Sequence, residues 1–218
     1  MRSVMQTAYA CQHLRQLLQA RSYVALGARQ VTVQRLTGLQ TYELQRWFYR
    51  NPVDARRGRA PCATEWYRHA NLIERIDASL VTILFYRLYR CGFAAEDALH
   101  SAYLGYQELG LRSPRIDFDR AFDLAAHTAG IWLTGTPHFT VIDCPTCCAQ
   151  TLTDFGCIAP LGCPFCKLLV RYPLDPRVQA HFGPPSGRGE TSKQLGIAAL
   201  CPELRQPSHC TTPRNSRR

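Results

Sequence analysis

Residues 144–166 read CPTCCAQTLTDFGCIAPLGCPFC and contain two Cys-x-x-Cys pairs. Cys144 and Cys147 form the first pair, Cys163 and Cys166 form the second, and fifteen residues lie between Cys147 and Cys163. Each pair places two thiolates on one tight turn, and two facing turns make a tetrahedral tetrathiolate site. Four thiolates leave no open position for water. The spacing therefore predicts one structural Zn²⁺ per chain, in a zinc-ribbon-like four-cysteine module over residues 138–170.

Whether the cysteines form disulfides depends on the cellular compartment. The first residues lack the continuous apolar stretch of a secretory signal, so we expect a reducing cytoplasm and few disulfides among the eleven cysteines. Iron held as in rubredoxin, and a disulfide framework, are the alternatives to zinc. Cys148 can compete with Cys147, but we expect Cys148 and Cys157 not to bind the metal. The small buried hydrophobic cysteines are expected to be Cys11, Cys62 and Cys91.

The centre of the chain has the periodicity of amphipathic helices. Apolar residues recur at spacings of three and four from residue 72 to residue 88, and Gly92 is a suitable stop. Further helices are predicted over residues 94–109 and 117–133, the second ended by Gly135 and Pro137. The predicted fold class is mainly α: a helical bundle with a helix-turn-helix-like N-terminal segment and the four-cysteine module in its C-terminal part.

Residues 28–50 read ARQVTVQRLTGLQTYELQRWFYR, and a helix-turn-helix motif fits them. A first helix covers about residues 28–36, Gly38 supplies the tight turn, and a second helix runs from about residue 40 to residue 50. Leu44, Trp47 and Phe48 would share the buried face of the second helix. The alternative is a pair of solvated bundle helices with the same aromatic residues in the core.

The polar residues of this motif are of the types that bind base edges and phosphates. An arginine-rich run follows at residues 56–59 and can grip phosphate, or it is an ordinary solvated loop. The candidate DNA-binding residues are Arg29, Arg35, Gln40, Thr41, Gln45, Arg46, Arg50, Arg56, Arg57 and Arg59.

The charge distribution points in the same direction. The chain has 26 Lys and Arg against 16 Asp and Glu, a net charge of +10. Residues 21–60 carry +6 and residues 171–218 carry +5, whereas residues 61–143 carry −3. We expect the basic ends to contact phosphate and the mildly acidic middle to pack against another surface.

Composition also divides the chain. Residues 1–137 are predicted to form a helical DNA-binding and partner-binding domain, and residues 138–170 the zinc module. Residues 171–218 are rich in Pro, Gly, Ser and Arg and are predicted to be a basic, mostly disordered tail. The longest uncharged apolar run, residues 78–86, is far shorter than the roughly 18 residues that span a bilayer. We therefore expect a cytoplasmic protein with no membrane segment.

The chain shows no set of catalytic residues. It has no Gly-rich phosphate loop, no His-Glu-x-x-His and no Gly-x-Ser-x-Gly motif, so we expect that it is not an enzyme. Asp117, Asp119 and Asp123 are interpreted as a solvated helix face rather than a carboxylate metal site. Three scattered histidines are expected to be structural: His100, His127 and His138.

The whole pattern resembles the flagellar transcriptional regulator FlhC family. The resemblance rests on LGARQVTVQRLTGLQ at residues 26–40, TEWY at residues 64–67 and the four paired cysteines, and it covers roughly residues 20–170. Members of that family often have Gly-Gly after the first cysteine pair, where this chain has Cys148-Ala149.

The resemblance implies a cytoplasmic DNA-binding activator that works by binding, without catalysis. In that family the subunit associates with FlhD in a hetero-oligomer of four D and two C subunits. This hetero-oligomer bends over promoter DNA upstream of flagellar operons and recruits RNA polymerase. It also implies that zinc is bound by Cys144, Cys147, Cys163 and Cys166. The alternative function is a zinc-ribbon adaptor that docks a protein without specific DNA binding. A nucleic-acid enzyme with an accessory ribbon is a third possibility.

Overall fold

The structure is a computed structural model, and it describes residues 2–50, 59–109, 111, 114–155 and 162–183. These residues are mainly helical and contain one small two-stranded sheet. The elements in chain order are α1 (Arg2–Ala25), α2 (Gln30–Thr37), α3 (Thr41–Trp47), α4 (Ala63–His69), α5 (Leu72–Arg90), α6 (Ala95–Gln107), α7 (Phe118–Ala129), β1 (Phe139–Asp143), β2 (Gln150–Asp154), α8 (Pro164–Arg171) and α9 (Pro176–Phe182). The predicted fold class is confirmed.

Helix α5 is the central element, as the periodicity predicts. It begins with a capping box in which the Asn71 side chain accepts from the Glu74 N–H and the Glu74 side chain accepts from the Asn71 N–H. It ends just before Gly92, whose φ of 89° lies in the left-handed region. The apolar face of α5 packs against α6 and α7, and β2 and α8 lie against the same helix. The four-cysteine segment is therefore attached directly to the helical body.

Helix α7 is shorter than predicted. It ends at Gly130, with φ 70°, and not at the Gly135 and Pro137 stop. Gly130 is required there because a Cβ atom would lie 3.0 Å from the Pro137 backbone nitrogen. This close approach turns the chain back, so that the His138 N–H donates to the His127 carbonyl before β1 begins.

Helices α2 and α3 form the predicted helix-turn-helix unit. Gly38 ends α2 in a left-handed conformation with φ 71°, and α3 starts three residues later. The predicted buried face is corrected at its end: Trp47 is 56% exposed, whereas Tyr49 is buried and donates to the Ala28 carbonyl. Because α3 ends at Trp47, Tyr49 is placed by the turn that follows and not by the helical period.

The predicted disordered tail is corrected over its first part. Residues 171–183 complete α8 and form α9, whose Val178 and His181 are buried. The His181 Nε2 atom lies 3.0 Å from Asp77 Oδ1 of α5, so α9 is docked on the central helix. The rest of the predicted tail, residues 184–218, lies outside the described residues.

A helix that crosses a bilayer must be both long and strongly apolar. None of the helices in the described part of the chain combines these two properties.

Candidate metal centre and nucleic-acid interface

The first cysteine pair lies in the turn of the β1–β2 hairpin. The strands pair antiparallel from Phe139 opposite Asp154 to Asp143 opposite Gln150, and Cys144 follows directly after β1. The Cys144 N–H donates to the Ala149 carbonyl at 2.9 Å, and the Cys148 N–H donates to the Cys144 carbonyl at 2.8 Å. These bonds close a tight knuckle that turns both sulfur atoms to one side of the hairpin.

The second pair lies at the start of a helix. Cys163 is the N-cap of α8, Pro164 occupies the first turn, and Cys166 follows within that turn. Unpaired N–H groups give a helix N-terminus a partial positive charge, which favours thiolate over thiol. The helix therefore presents two sulfur atoms from one turn, beside the partial positive charge of its N-terminus.

The four sulfur atoms meet in one cluster. Cys144 Sγ lies 3.8 Å from Cys166 Sγ, and Cys147 Sγ lies 3.7 Å from Cys163 Sγ. All four sulfur atoms lie within 4.8 Å of one another. A tetrahedron with metal–sulfur bonds of about 2.3 Å has sulfur–sulfur edges of about 3.8 Å. The residues present thus fit a tetrahedral metal ion, and each pair contributes one sulfur to each short edge.

The electrostatics of the cluster also suit a cation. The pKa of the Cys144 thiol is lowered to about 6, chiefly by a hydrogen bond from the Cys147 backbone, and the Thr146 N–H also donates to this sulfur. The pKa of Cys166 is raised to about 12, first by its contact with the Cys147 side chain. Ionising one thiol next to another thiolate costs free energy, because the two negative charges repel. A divalent cation offsets this repulsion when it binds the thiolates directly.

The remaining cysteines are not part of the cluster. Cys148 is disulfide-bonded and holds a left-handed φ of 57°, so it does not replace Cys147 as a ligand. Cys91 is also disulfide-bonded, and Cys11 is exposed, which corrects their interpretation as buried free thiols. A disulfide depends on which sulfur atoms the fold brings together, and composition does not contain that information. Cys62 is half-buried, and Cys157 lies outside the described residues.

The outer face of α3 carries part of the predicted DNA-binding set. Gln45 and Arg46 are exposed on α3, and the Arg46 guanidinium lies 5.3 Å from the centre of the Trp47 ring. Exposed Arg50 follows the end of α3, and its Nε donates to the Arg46 carbonyl at 2.7 Å. Tyr42 was not among the candidates, yet it is 66% exposed. The sequence did contain a signal for it: Tyr42 lies three residues before Gln45 and four before Arg46, and residues at these spacings lie on the same helix face. The face joins polar, cationic and aromatic groups of the kinds that contact nucleic acid.

Other members of the set are engaged within the chain. Arg29 is corrected: its Nε atom lies 3.3 Å from Asp119 Oδ2, and its side chain is only 18% exposed. Gln40 and Thr41 are exposed but form the start of α3, where Gln40 belongs to a capping box. Exposed Arg59 forms an ion pair of 3.1 Å with Glu65. Arg35 is exposed, and Arg56 and Arg57 lie outside the described residues.

The three aspartates near α7 are structural, but they are not a solvated face. Asp117 caps α7 by accepting from the Arg120 N–H. Asp119 is 2% exposed and accepts from the Arg29 N–H and the Thr32 hydroxyl, while Asp123 is 4% exposed and accepts from the Ala63 N–H. The solvated interpretation is wrong because Asp119 and Asp123 bind the N-terminal ends of α2 and α4, and Asp117 caps α7 itself.

Two of the histidines are neighbours. His127 Nδ1 lies 3.0 Å from His138 Nδ1, and His127 Nε2 lies 3.6 Å from Asp123 Oδ1. Burial, and then the charge of His138, lower the pKa of His127. The pair joins the end of α7 to the start of the hairpin.

A cavity of about 270 Å³ lies beside the sulfur cluster. Tyr67 and Arg75 of the helical body line one side, and Thr151, Leu152 and Pro164 of the cysteine segment line the other. The Tyr67 hydroxyl donates to the Leu152 carbonyl at 2.7 Å, which fixes the hairpin against α4. The four-sulfur cluster is thus held in place by strand pairing, by helix packing and by this buried contact.

Comparison with known proteins adds no identity. No family model matches the chain, and no curated protein matches its sequence. The functional argument therefore rests on the residues themselves.

Proposed function

We propose that this chain is a DNA-binding transcriptional activator subunit of the FlhC type. With FlhD, in an assembly of four D and two C subunits, it binds promoters of flagellar operons in the cytoplasm and recruits RNA polymerase. It has no catalytic step. The observation that carries the proposal is the joint presence of the α2–Gly38–α3 unit, with its exposed Gln45, Arg46 and Arg50, and the four-sulfur cluster.

The metal in this proposal is Zn²⁺, held by Cys144, Cys147, Cys163 and Cys166. Zinc supplies a closed, redox-inert tetrahedral junction with no open position, and its binding energy stabilises the fold. The chain's own residues then supply the DNA contacts. Arg46 and Gln45, on the outer face of α3, and Arg50, just after its end, supply these contacts. The two arginines bind phosphate or guanine edges, and Gln45 binds base edges.

The charge of this region supports a role in DNA binding. Residues 21–60 carry a net charge of +6, and replacing counterions on several phosphates makes duplex affinity fall steeply with salt. The alternative function is a protein-docking adaptor, which the apolar cavity beside the cysteine segment favours. An adaptor gives no steep salt dependence with duplex DNA.

The test is a fluorescence-anisotropy titration of a flagellar promoter duplex with this chain co-expressed with FlhD. A scrambled duplex of equal length is the control for specificity. We expect tighter binding to the promoter, a steep salt dependence and loss of specific binding on zinc chelation. If a folded, zinc-loaded complex binds both duplexes equally, with little effect of salt, the activator proposal is wrong and the adaptor is the better account.

A further inference from the structure

A second cleft, unrelated to the proposed α3 surface, lies between the start of α5 and helix α9. Its volume is about 500 Å³, within the range of about 300–1,000 Å³ that is typical of small-ligand sites. Its lining includes Asn71, Leu72 and Ile73 at the start of α5, and Arg177 and His181 of α9. The cleft therefore lies between helices of the described structure.

Three arginines on separate segments line this cleft. They are Arg115, before α7, Arg171, at the end of α8, and Arg177, in α9, and all three are exposed. None of the three guanidinium groups forms an ion pair with a residue that the structure describes. Asp175 is the only carboxylate in the described lining, and it accepts from the Arg177 backbone N–H. Several cations with one acidic neighbour produce a field that attracts anions.

A buried polar atom of one lining residue, His181, also lacks a partner. His181 is 3% exposed, its Nε2 lies 3.0 Å from Asp77 Oδ1, and its Nδ1 has no hydrogen-bond partner among the described residues. Asp77 Oδ2 accepts from the Tyr106 hydroxyl and the Arg115 N–H. Because Asp77 acts as an acceptor throughout, His181 donates to it through Nε2. This leaves Nδ1 for a ligand, since buried polar atoms normally have partners.

Helix α5 contributes two further donors. It has 19 residues, and the N–H groups of its first turn have no acceptor inside the helix. Asn71 Oδ1 takes the Glu74 N–H, which leaves those of Leu72 and Ile73 without an acceptor in the described part of the chain. Both residues line the cleft. A helix N-terminus with unpaired N–H groups favours a negatively charged ligand.

We propose that this cleft binds a phosphate group. Guanidinium groups pair with phosphate oxygens through two parallel hydrogen bonds, and the free histidine nitrogen can accept from a phosphate hydroxyl or, once protonated, donate to an oxygen. The phosphate belongs either to a nucleic-acid backbone or to a soluble phosphorylated molecule. The binding itself does not depend on promoter recognition by α3.

The test uses the zinc-loaded full chain and inorganic phosphate as the probe, followed by ³¹P NMR at constant ionic strength. The variant R171Q/R177Q removes two exposed cleft charges, and R115Q repeats the test on a different segment. R90Q is the matched control, because Arg90 is exposed at the opposite end of α5. We expect the dissociation constant to rise at least tenfold in R171Q/R177Q and to change less than twofold in R90Q.

Duplex DNA then separates the two sources of phosphate. Displacement of phosphate by duplex, with weaker duplex binding by R171Q/R177Q, assigns the cleft to the nucleic-acid backbone. Unchanged duplex binding with lost phosphate binding assigns it to a soluble ligand. No phosphate binding by the wild type, or equal binding by the cleft variants, overturns the proposal. If the wild-type complex with FlhD shows no preference for the promoter duplex but the chain still binds phosphate, only the proposed function is contradicted.

Discussion

Replacing Arg29 is predicted to weaken the fold, whereas replacing Arg46 is predicted to weaken DNA binding. Both belong to the basic helix-turn-helix segment, but their surroundings differ. Arg29 is 18% exposed on its side chain and pairs with Asp119, which is 2% exposed. Arg46 is exposed on α3 and contacts the Trp47 ring. The substitutions R29Q and R46Q remove the same charge from these two environments.

The cost of R29Q follows from the buried partner. Removing one member of a buried ion pair costs about 3–5 kcal/mol. Asp119 keeps its hydrogen bonds from the Arg29 N–H and the Thr32 hydroxyl, and Arg29 is partly exposed, so we expect a loss of about 2–3 kcal/mol. Burial already raises the pKa of Asp119, and losing the guanidinium raises it further. R46Q is exposed and should change the unfolding free energy by less than about 0.5 kcal/mol.

Two assays separate these effects. Urea unfolding of the zinc-loaded chain gives the free energy of unfolding, and anisotropy with promoter duplex and FlhD gives affinity. R46Q should lose about 1–3 kcal/mol of binding free energy, while R29Q should bind normally in the absence of urea, at a temperature where it remains folded. R21Q, exposed on α1, is the control for a general loss of charge. The reasoning is refuted if R29Q keeps wild-type stability but loses DNA affinity, or if R46Q loses stability but keeps wild-type DNA affinity.

Two further substitutions test the packing around the metal segment. G130A should lower the free energy of unfolding by about 2–4 kcal/mol, because a Cβ would meet the Pro137 backbone at 3.0 Å. G92A is the control: Gly92 has open space around it, so this substitution should cost only about 1 kcal/mol in urea unfolding. Equal costs for the two variants would contradict the close approach at Gly130. D123N should be more stable than the wild type at pH 7, by an amount on the order of 2 kcal/mol, because burial raises the pKa of Asp123 to about 6. This folded-state pKa lies above the value of about 4 in an unfolded chain, so ionisation of Asp123 lowers the free energy of unfolding as pH rises from about 4 to 6. In a plot of unfolding free energy against pH, D123N should remove this decrease. A decrease that is unchanged in D123N would show that the carboxylate is not desolvated.

Local patterns predicted the local structure well. The apolar period of α5 and the glycine at residue 38 set helix positions within a few residues, because periodicity and left-handed turns depend on near neighbours. The cysteine pairs likewise predicted a cluster whose members span only 23 residues. In each case the sequence signal and the structure it specifies lie close together along the chain.

Long-range contacts account for the errors. Helix α9 docks through His181 on Asp77, which lies 104 residues earlier, and no local pattern shows that pairing. Asp119 and Asp123 were interpreted as solvated because their partners, Arg29 and Ala63, come from other helices. Burial of a charged side chain is decided by such partners, so it cannot be inferred from the residue type alone.

The most direct test of the central claim is the metal content of the purified full chain. Elemental analysis should find one zinc per chain in the wild type and in C11S, whose thiol is exposed and lies outside the cluster, and much less than one in C163S. Substitution by Co²⁺ should give the absorption of a tetrahedral tetrathiolate site in the first two proteins. Equal zinc content in C163S and the wild type, or no bound metal in a folded wild-type chain, would contradict the assignment of Cys144, Cys147, Cys163 and Cys166 as a zinc centre.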